Sequence, residues 1–417
     1  MQPQRNEDGT SQGGLRRSLS LPLIVYYGLG NILGAGIYVL IGKVAGYAGA
    51  LTPWSFLLAS LLAGFTAFSY AELSARYPFS AGEVVYLQRG LGIRALSLLV
   101  GVLIILTGIV SAATIARGFA GYLEVFVSLP ENLAITLLVL CLGALAAWGI
   151  SQSVWVAAAM TLIEIGGLLL ILWSARPSPE RLGSALESLI TLPDGSALKG
   201  IFLGAFLAFY AFIGFEDMVN VAEEVRNPRR NLPLAILLAL GLATLLYFAI
   251  AVVAVSAVDP ARLADSDAPL ALIYRQARGS DPHFIAAISL IAVVNGALIQ
   301  IIMAARVCYG MGRRGWLPGW LARVNRVTHT PLAATVLVTL LVLLMALWLP
   351  IETLARSTSF FVLVIFTLVN LSLWRLKHRP VGDYEGFSVY RWVPLLGALA
   401  TGLFVAVQLF SVLEGGP

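Results

Sequence analysis

Charge is what this chain has least of. Only 12% of its 417 residues are Asp, Glu, Lys or Arg, against 59% hydrophobic, and the mean hydropathy is +0.87. A soluble domain carries about a quarter charged residues, so this balance excludes that class and points to a polytopic membrane protein. Cysteine is nearly absent. Cys141 and Cys308 lie in or beside apolar segments with no CxxC or other ligand spacing, which leaves neither a disulfide framework nor a metal site. The three histidines, His283, His329 and His378, all fall in loop regions. No HExxH or GxxxxGK[ST] pattern occurs, so zinc-hydrolase chemistry and an ATP-driven pump lack their residues, and no cofactor is implied. The net charge of +5 would suggest nucleic acid for a soluble protein, but the basic residues collect in short loops between apolar runs, where they read as topology signals.

What the chain does have is long apolar runs. Eleven candidate spans lie at about 21–46, 51–75, 95–120, 131–149, 154–174, 198–221, 231–256, 282–307, 331–350, 353–374 and 392–413, each near the ~20 residues that cross a bilayer as helix. Pro53, Pro233 and Pro331 fit helix starts. Residues 1–20 are polar with no apolar stretch before residue 21, as expected of a cytoplasmic tail. With the N-terminus inside, 18 of 27 Lys and Arg residues fall on inner segments. That bias predicts a cell-membrane protein with a cytoplasmic N-terminus and, for an odd number of spans, an extracytoplasmic C-terminus. The segment 75–92 mixes apolar, aromatic and charged residues and reads either as a short amphipathic interfacial helix or as a solvated connector.

The first span, LPLIVYYGLGNILGAGIYVLIGKVAG, carries glycines at 28, 30, 34, 36 and 42, more than an anchor needs. The Gly34-Ala35-Gly36 cluster permits either close helix packing or a local break. Span six repeats the feature: Phe209-Tyr210-Ala211-Phe212-Ile213-Gly214-Phe215 mixes aromatics with small residues and runs straight into Glu216 and Asp217. Interrupted helices in the first position of each half point to a transporter built of inverted repeats, with its site where both helices unwind. The expected division is a tail over 1–20, a first five-helix repeat over 21–174, an extracytoplasmic connector over 175–197, a second repeat over 198–374, and an inner loop, additional helix and short tail over 375–417.

The chemistry of such a pair suits a zwitterion. Freed amides near Ala35, Gly36 and Ile37 can receive a carboxylate, and freed carbonyls around Phe209 to Ile213 can receive an ammonium group. Phe209, Tyr210, Phe212 and Phe215 can cover the ligand or serve as packing residues. Glu216 and Asp217 are too expensive for lipid and should face protein, water or the inner mouth; Phe215 and Glu216 are the candidate gating positions. Glu223 and Glu224 are expected to pair with the nearby Arg226, Arg229 and Arg230.

GLGNILGAGIYVLIG in span one, AELSARYPFSAGEVVYL after span two, FYAFIGFEDMVNVAEEVRNPRRNLP in span six and NGALIQIIMAARVCYGMGRRGWLP in and after span eight together resemble amino-acid permeases of the amino acid, polyamine and organocation transporter superfamily. The resemblance covers much of residues 21–318; beyond Pro318 only hydropathy agrees. It implies a ten-helix core of two inverted five-helix repeats alternating around a central amino-acid site, here followed by one helix where many relatives have two. Leu33, Gly34, Ala35, Gly36 and Ile37 resemble the carboxylate-binding break, and Phe209, Tyr210, Ala211, Phe212, Ile213 and Gly214 the amine-binding and gating break. Proton-coupled relatives often carry a lysine in span five where this sequence has Glu164. A carboxylate there is open to three roles: proton carrier, attractor of a cationic substrate, or hydrogen-bonded structural residue. Sodium coupling is less favoured, because span eight offers Ser289, Asn295 and Gln300 but no adjacent Ser/Thr pair. The expected function is secondary transport of an amino acid, by proton symport or exchange, in an all-α polytopic protein whose partners are substrate, protons and the bilayer. The alternative is an exporter or exchanger of polyamines or other organic cations, although a polyamine has no carboxylate for the first break.

Overall fold

The computed structural model describes residues 17–413 apart from 81, 125, 149, 178–182, 184–186, 188–193, 267, 280–282, 350 and 380–385. Most of the expected N-terminal tail and of the connector therefore lies outside the described residues. Among the described residues every regular element is a helix, and one isolated backbone bridge joins Leu19 to Val225.

The eleven apolar segments are all occupied by helices: α1 (Leu21–Ala48), α2 (Thr52–Arg76), α4 (Arg94–Glu124), α5 (Glu131–Trp148), α6 (Ile150–Ser174), α7 (Gly195–Ala211), α8 (Pro228–Ala257), α11 (His283–Arg313), α12 (Leu332–Trp348), α13 (Ile351–Leu376) and α14 (Trp392–Leu413). Among the described residues nine stretches are long and apolar enough to cross a membrane, and two shorter apolar helices lie at Leu332–Trp348 and Trp392–Val407. Among the described residues, short α-helices also form at α3 (Gly82–Gly90), α9 (Pro260–Ala264) and α10 (Pro269–Arg278). Local signals set several starts. Pro22 and Pro53 sit in first turns, where their missing N–H is not needed, and Asp194 caps α7 by accepting from the Ala197 amide at 2.7 Å. Pro233 departs from expectation: α8 begins at Pro228, so this proline lies inside the helix.

α1 and α11 are the most enclosed of the long helices. α1 packs against α6, α7, α8 and α11, and α11 in turn against α4 and α6. A helix apolar on every side, as α1 is, fits the interior of a bundle rather than its rim. The rim shows the complementary pattern, with Trp148, Trp155, Trp173, Trp348 and Trp392 exposed at or near helix ends, as in the aromatic belts of membrane proteins. α9 closes over the far end of α1, where the Lys43 ammonium donates to the Ala264 carbonyl at 2.7 Å.

The 75–92 segment corrects the reading of an interfacial helix or solvated connector. α3 buries Glu83, Val84, Tyr86 and Leu87 and packs against α4 and α13. Its apolar face is covered by protein, and its one buried carboxylate points inward.

Candidate functional site

The two glycine-bearing spans are interrupted, each in its own way. α1 runs from Leu21 to Ala48 but bends at Gly34, whose φ of −28° and ψ of −115° leave the helical region. α11 fills the inside of the bend: a Cβ on Gly34 would stand 3.4 Å from Gly296 Cα. α7 stops at Ala211. The chain then turns through Phe212 to Phe215 and resumes as a 3₁₀ helix over Glu216–Glu224. Gly214, at φ 131°, occupies backbone space that L residues seldom enter.

The interruptions touch. A Cβ on Gly36 would fall 2.7 Å from Ala211 Cα, so glycine is what lets α1 approach the end of α7. One side chain serves both breaks from a third helix. The Tyr247 hydroxyl of α8 lies 2.5 Å from the Ile32 carbonyl and 3.0 Å from the Ala211 carbonyl. Bending at Gly34 and termination at Ala211 deprive these carbonyls of regular helical partners, and a buried carbonyl needs a donor.

Immediately beside the breaks lies a knot of buried polar side chains. The Asn31 amide donates to Asp217 Oδ2 at 2.5 Å and to the Gly214 carbonyl at 3.0 Å. Gln300 of α11 donates to the same Asp217 oxygen at 2.7 Å and to Asn31 Oδ1 at 3.1 Å. Glu216 folds back to accept from the Gly214 amide at 2.8 Å. Glu216 and Asp217 also line, with Glu83, Thr107, Met303 and Phe366, a cavity with room for about one water molecule. Glu83 Oε1 accepts from Asn220 at 3.3 Å, while its Oε2 has no partner among the described residues.

Glu164 of α6 is fully buried between α1 and α11. Its Oε1 accepts from Asn295 at 2.7 Å, its backbone carbonyl accepts from the Tyr38 hydroxyl at 2.9 Å, and its Oε2 has no partner among the described residues. Asn295 also donates to Thr161, whose hydroxyl reaches the Tyr26 carbonyl of α1. Glu164 thus sits where a change in charge would be felt by the first broken helix.

The remaining candidates divide by surroundings. Leu33 and Ile37 are fully buried, and the backbone of Ala35 is helical. Phe209 packs edge-on against Phe366, Phe212 against Phe56 and Tyr247, and Phe215 against Tyr70 and Phe366, so all three are engaged with other rings in this arrangement. Tyr210 and Ile213 are half-buried. The expected pairing of Glu223 and Glu224 with their neighbours in sequence is wrong: Glu224 forms a buried 2.9 Å ion pair with Arg306 of α11, and Glu223 lies 3.7 Å from Arg313. Sequence reasoning passed over Asn31, Tyr247 and Glu83. A lone amide three residues before Gly34 was the available signal for the first; nothing in the spacing marked the other two.

Two interrupted helices joined at the centre of a bundle of apolar helices define a membrane transporter architecture. Among solved structures the fold resembles that of a Na⁺-coupled sialic acid symporter in a substrate-bound outward-open state, with a TM-score of 0.64 over 95% of this chain and 91% of that one at 14% identity. The chain belongs to the amino acid permease family, whose profile matches residues 19–416. It is 30% identical over 397 residues to the vacuolar cationic amino acid transporter 2 of Arabidopsis thaliana, covering 89% of this chain but only 62% of that protein. It is 27% identical over 432 residues to the branched-chain amino acid permease BcaP of Bacillus subtilis, 98% of this chain and 90% of the relative, and 26% identical to the methylthioribose transporter of the same organism. The family is one of transporters rather than enzymes.

Proposed function

We propose that this chain moves amino acids across the cell membrane by alternating access, as a proton-coupled symporter or an exchanger. The observation that carries the reading is the contact of the two interruptions, Gly34 to Ile37 and Phe209 to Gly214, beside shared polar partners. Amides after the bend in α1 suit a carboxylate, and carbonyls at the end of α7 suit an ammonium group, so one zwitterion addresses both. α1 and α7 touch at Gly36 and Ala211 here, and a ligand enters when they part.

The packing of α1 with α7, α2 with α8, α4 with α11 and α5 with α12 supports two five-helix repeats, since four of the five helices of one half lie against their counterparts in the other. The excess of Lys and Arg on one set of loops supports an N-terminus in the cytoplasm and a C-terminus outside. Glu164 is the proposed proton carrier, because it is buried, lacks a cationic partner among its hydrogen bonds, and is linked to both α1 and α11.

The test is reconstitution into proteoliposomes with a panel of amino acids under separately imposed proton and sodium gradients. Uptake driven by the proton gradient, or exchange independent of either, is the expected result. Glu164→Gln should abolish pH-driven accumulation while retaining exchange; unchanged accumulation removes Glu164 from coupling. Competition by decarboxylated amines but not by zwitterions would replace the amino-acid reading with an organic-cation one.

A further inference from the structure

The loop joining α11 to α12 carries a groove that the transport site does not use. About 640 Å³ in volume, it is bounded on one wall by Trp320, Arg323 and Asn325 and on the other by the N-terminal turns of α12. Leu332, Val336 and Leu340 recur every four residues along that wall and are all exposed, forming an apolar strip about 12 Å long at 1.5 Å per residue. One end of the groove is therefore cationic and the rest is hydrocarbon. Because α11 and α12 are apolar helices meeting at this loop, the cationic end lies at the membrane surface and the strip descends from it.

The charges around the groove are unevenly committed. Five arginines occur between residues 306 and 326, with no acidic residue among them. Arg306 is paired with Glu224, Arg313 faces Glu223 and the Tyr309 hydroxyl, and Arg314 donates to the Ser80 and Gly310 carbonyls. Arg323 and Arg326 are exposed and have no ion-pair or side-chain hydrogen-bond partner among the described residues. Trp320, 46% exposed, stands at the same level, where an indole ring favours the headgroup region. A guanidinium at the mouth of an apolar groove, with an indole beside it, offers complementary contacts to a phosphate and to an acyl chain at once.

We propose that this groove is a binding site for an anionic phospholipid, its phosphate held at Arg323 beside Trp320 and one acyl chain laid along Leu332, Val336 and Leu340. A free phosphate would satisfy the arginine but not the strip. A neutral lipid would satisfy the strip but leave the arginine without its counter-charge.

The test uses the full chain in nanodiscs of phosphatidylcholine with phosphatidylglycerol as the minority lipid, followed by extraction and mass spectrometry of the intact protein with retained lipid. Phosphatidylglycerol should be enriched over its share of the disc. Arg323→Gln should lower its occupancy about fivefold, corresponding to ~1 kcal/mol for one basic residue near the surface. Val336→Trp, which fills the strip and leaves the charge, should lower it as well, and soluble glycerophosphate should not compete. Retention of the two lipids in proportion to their shares of the disc, unchanged occupancy in Arg323→Gln, or displacement by glycerophosphate would each overturn the proposal. So would a dimer that dissociates in Val336→Trp, since the groove would then belong to a second copy of the chain.

Discussion

Asn31 and Asp217 are 186 residues apart in sequence and 2.5 Å apart in space. Their hydrogen bond ties the segment before the bend of α1 to the segment after the break of α7, and Gln300 locks the same oxygen from α11. Asp217→Ala takes one acceptor from each of two buried amides, which keep only the Gly214 carbonyl and Asn31 Oδ1, at up to about 1–3 kcal/mol each. The melting temperature in detergent should fall and transport should drop at least about tenfold. Asp217→Asn keeps one acceptor oxygen and should lose less on both measures. Equal behaviour of the two variants would deny the hydrogen bonds their role.

Tyr247 offers a cleaner deletion. Tyr247→Phe removes only the hydroxyl that faces the Ile32 and Ala211 carbonyls, while the ring contacts with Phe56 and Phe212 persist. Thermal stability should fall by about 1–3 kcal/mol. Hydrogen exchange should show the loss concentrated around residues 32–36 and 211–215. A uniform loss across the chain would point to general destabilisation instead.

At Gly36 the obstacle is backbone. Gly36→Ala brings a Cβ to 2.7 Å from Ala211 Cα, so transport should fall sharply even where the protein reaches the membrane. Ala211→Gly should fail to restore it, because the Cα remains when the methyl group is gone. Full rescue in the double variant, read by uptake normalised to surface expression, would show that only side chains clash.

Glu83 should impose a pH dependence on stability. Burial first, and the nearby Asp217 next, push its carboxyl up to about 8, against a partial opposing effect from a hydrogen bond to its own backbone amide and a smaller one from Asn220. Between 4.5 and about 8 the folded protein holds a proton that the unfolded chain has released, so this group's contribution declines as pH rises and levels off above that range. Melting temperature should therefore fall more steeply from about pH 5 to about pH 8 in the wild type than in Glu83→Gln. Parallel curves would place the titration elsewhere.

Hydropathy made the apolar helices legible because each needs its own run of apolar residues, and the glycines at 34, 36 and 214 marked where helices are interrupted because backbone geometry leaves few alternatives. Partnership was another matter. Glu224 has three arginines within six residues yet pairs with Arg306, 82 positions away, because proximity in a bundle is set by packing rather than by sequence. α3 looked interfacial for a related reason: its mixed face resembles a surface helix until α4 and α13 cover it. Tyr247 carried no signal at all, since a tyrosine in an apolar helix acquires its role only when two carbonyls are brought to its hydroxyl.

The short bridge at Leu19 constrains how the molecule can move. The Leu19 amide donates to the Glu224 carbonyl at 3.0 Å, and the Arg226 amide donates back to Leu19 at 2.8 Å, only two residues before α1 begins. The leading half of α1 and the 3₁₀ helix are thereby hinged into one lever. Any opening at that end must swing both together or first surrender two backbone hydrogen bonds, so a spin label before Leu19 and another on the loop after Glu224 should keep a constant separation while each moves relative to α11.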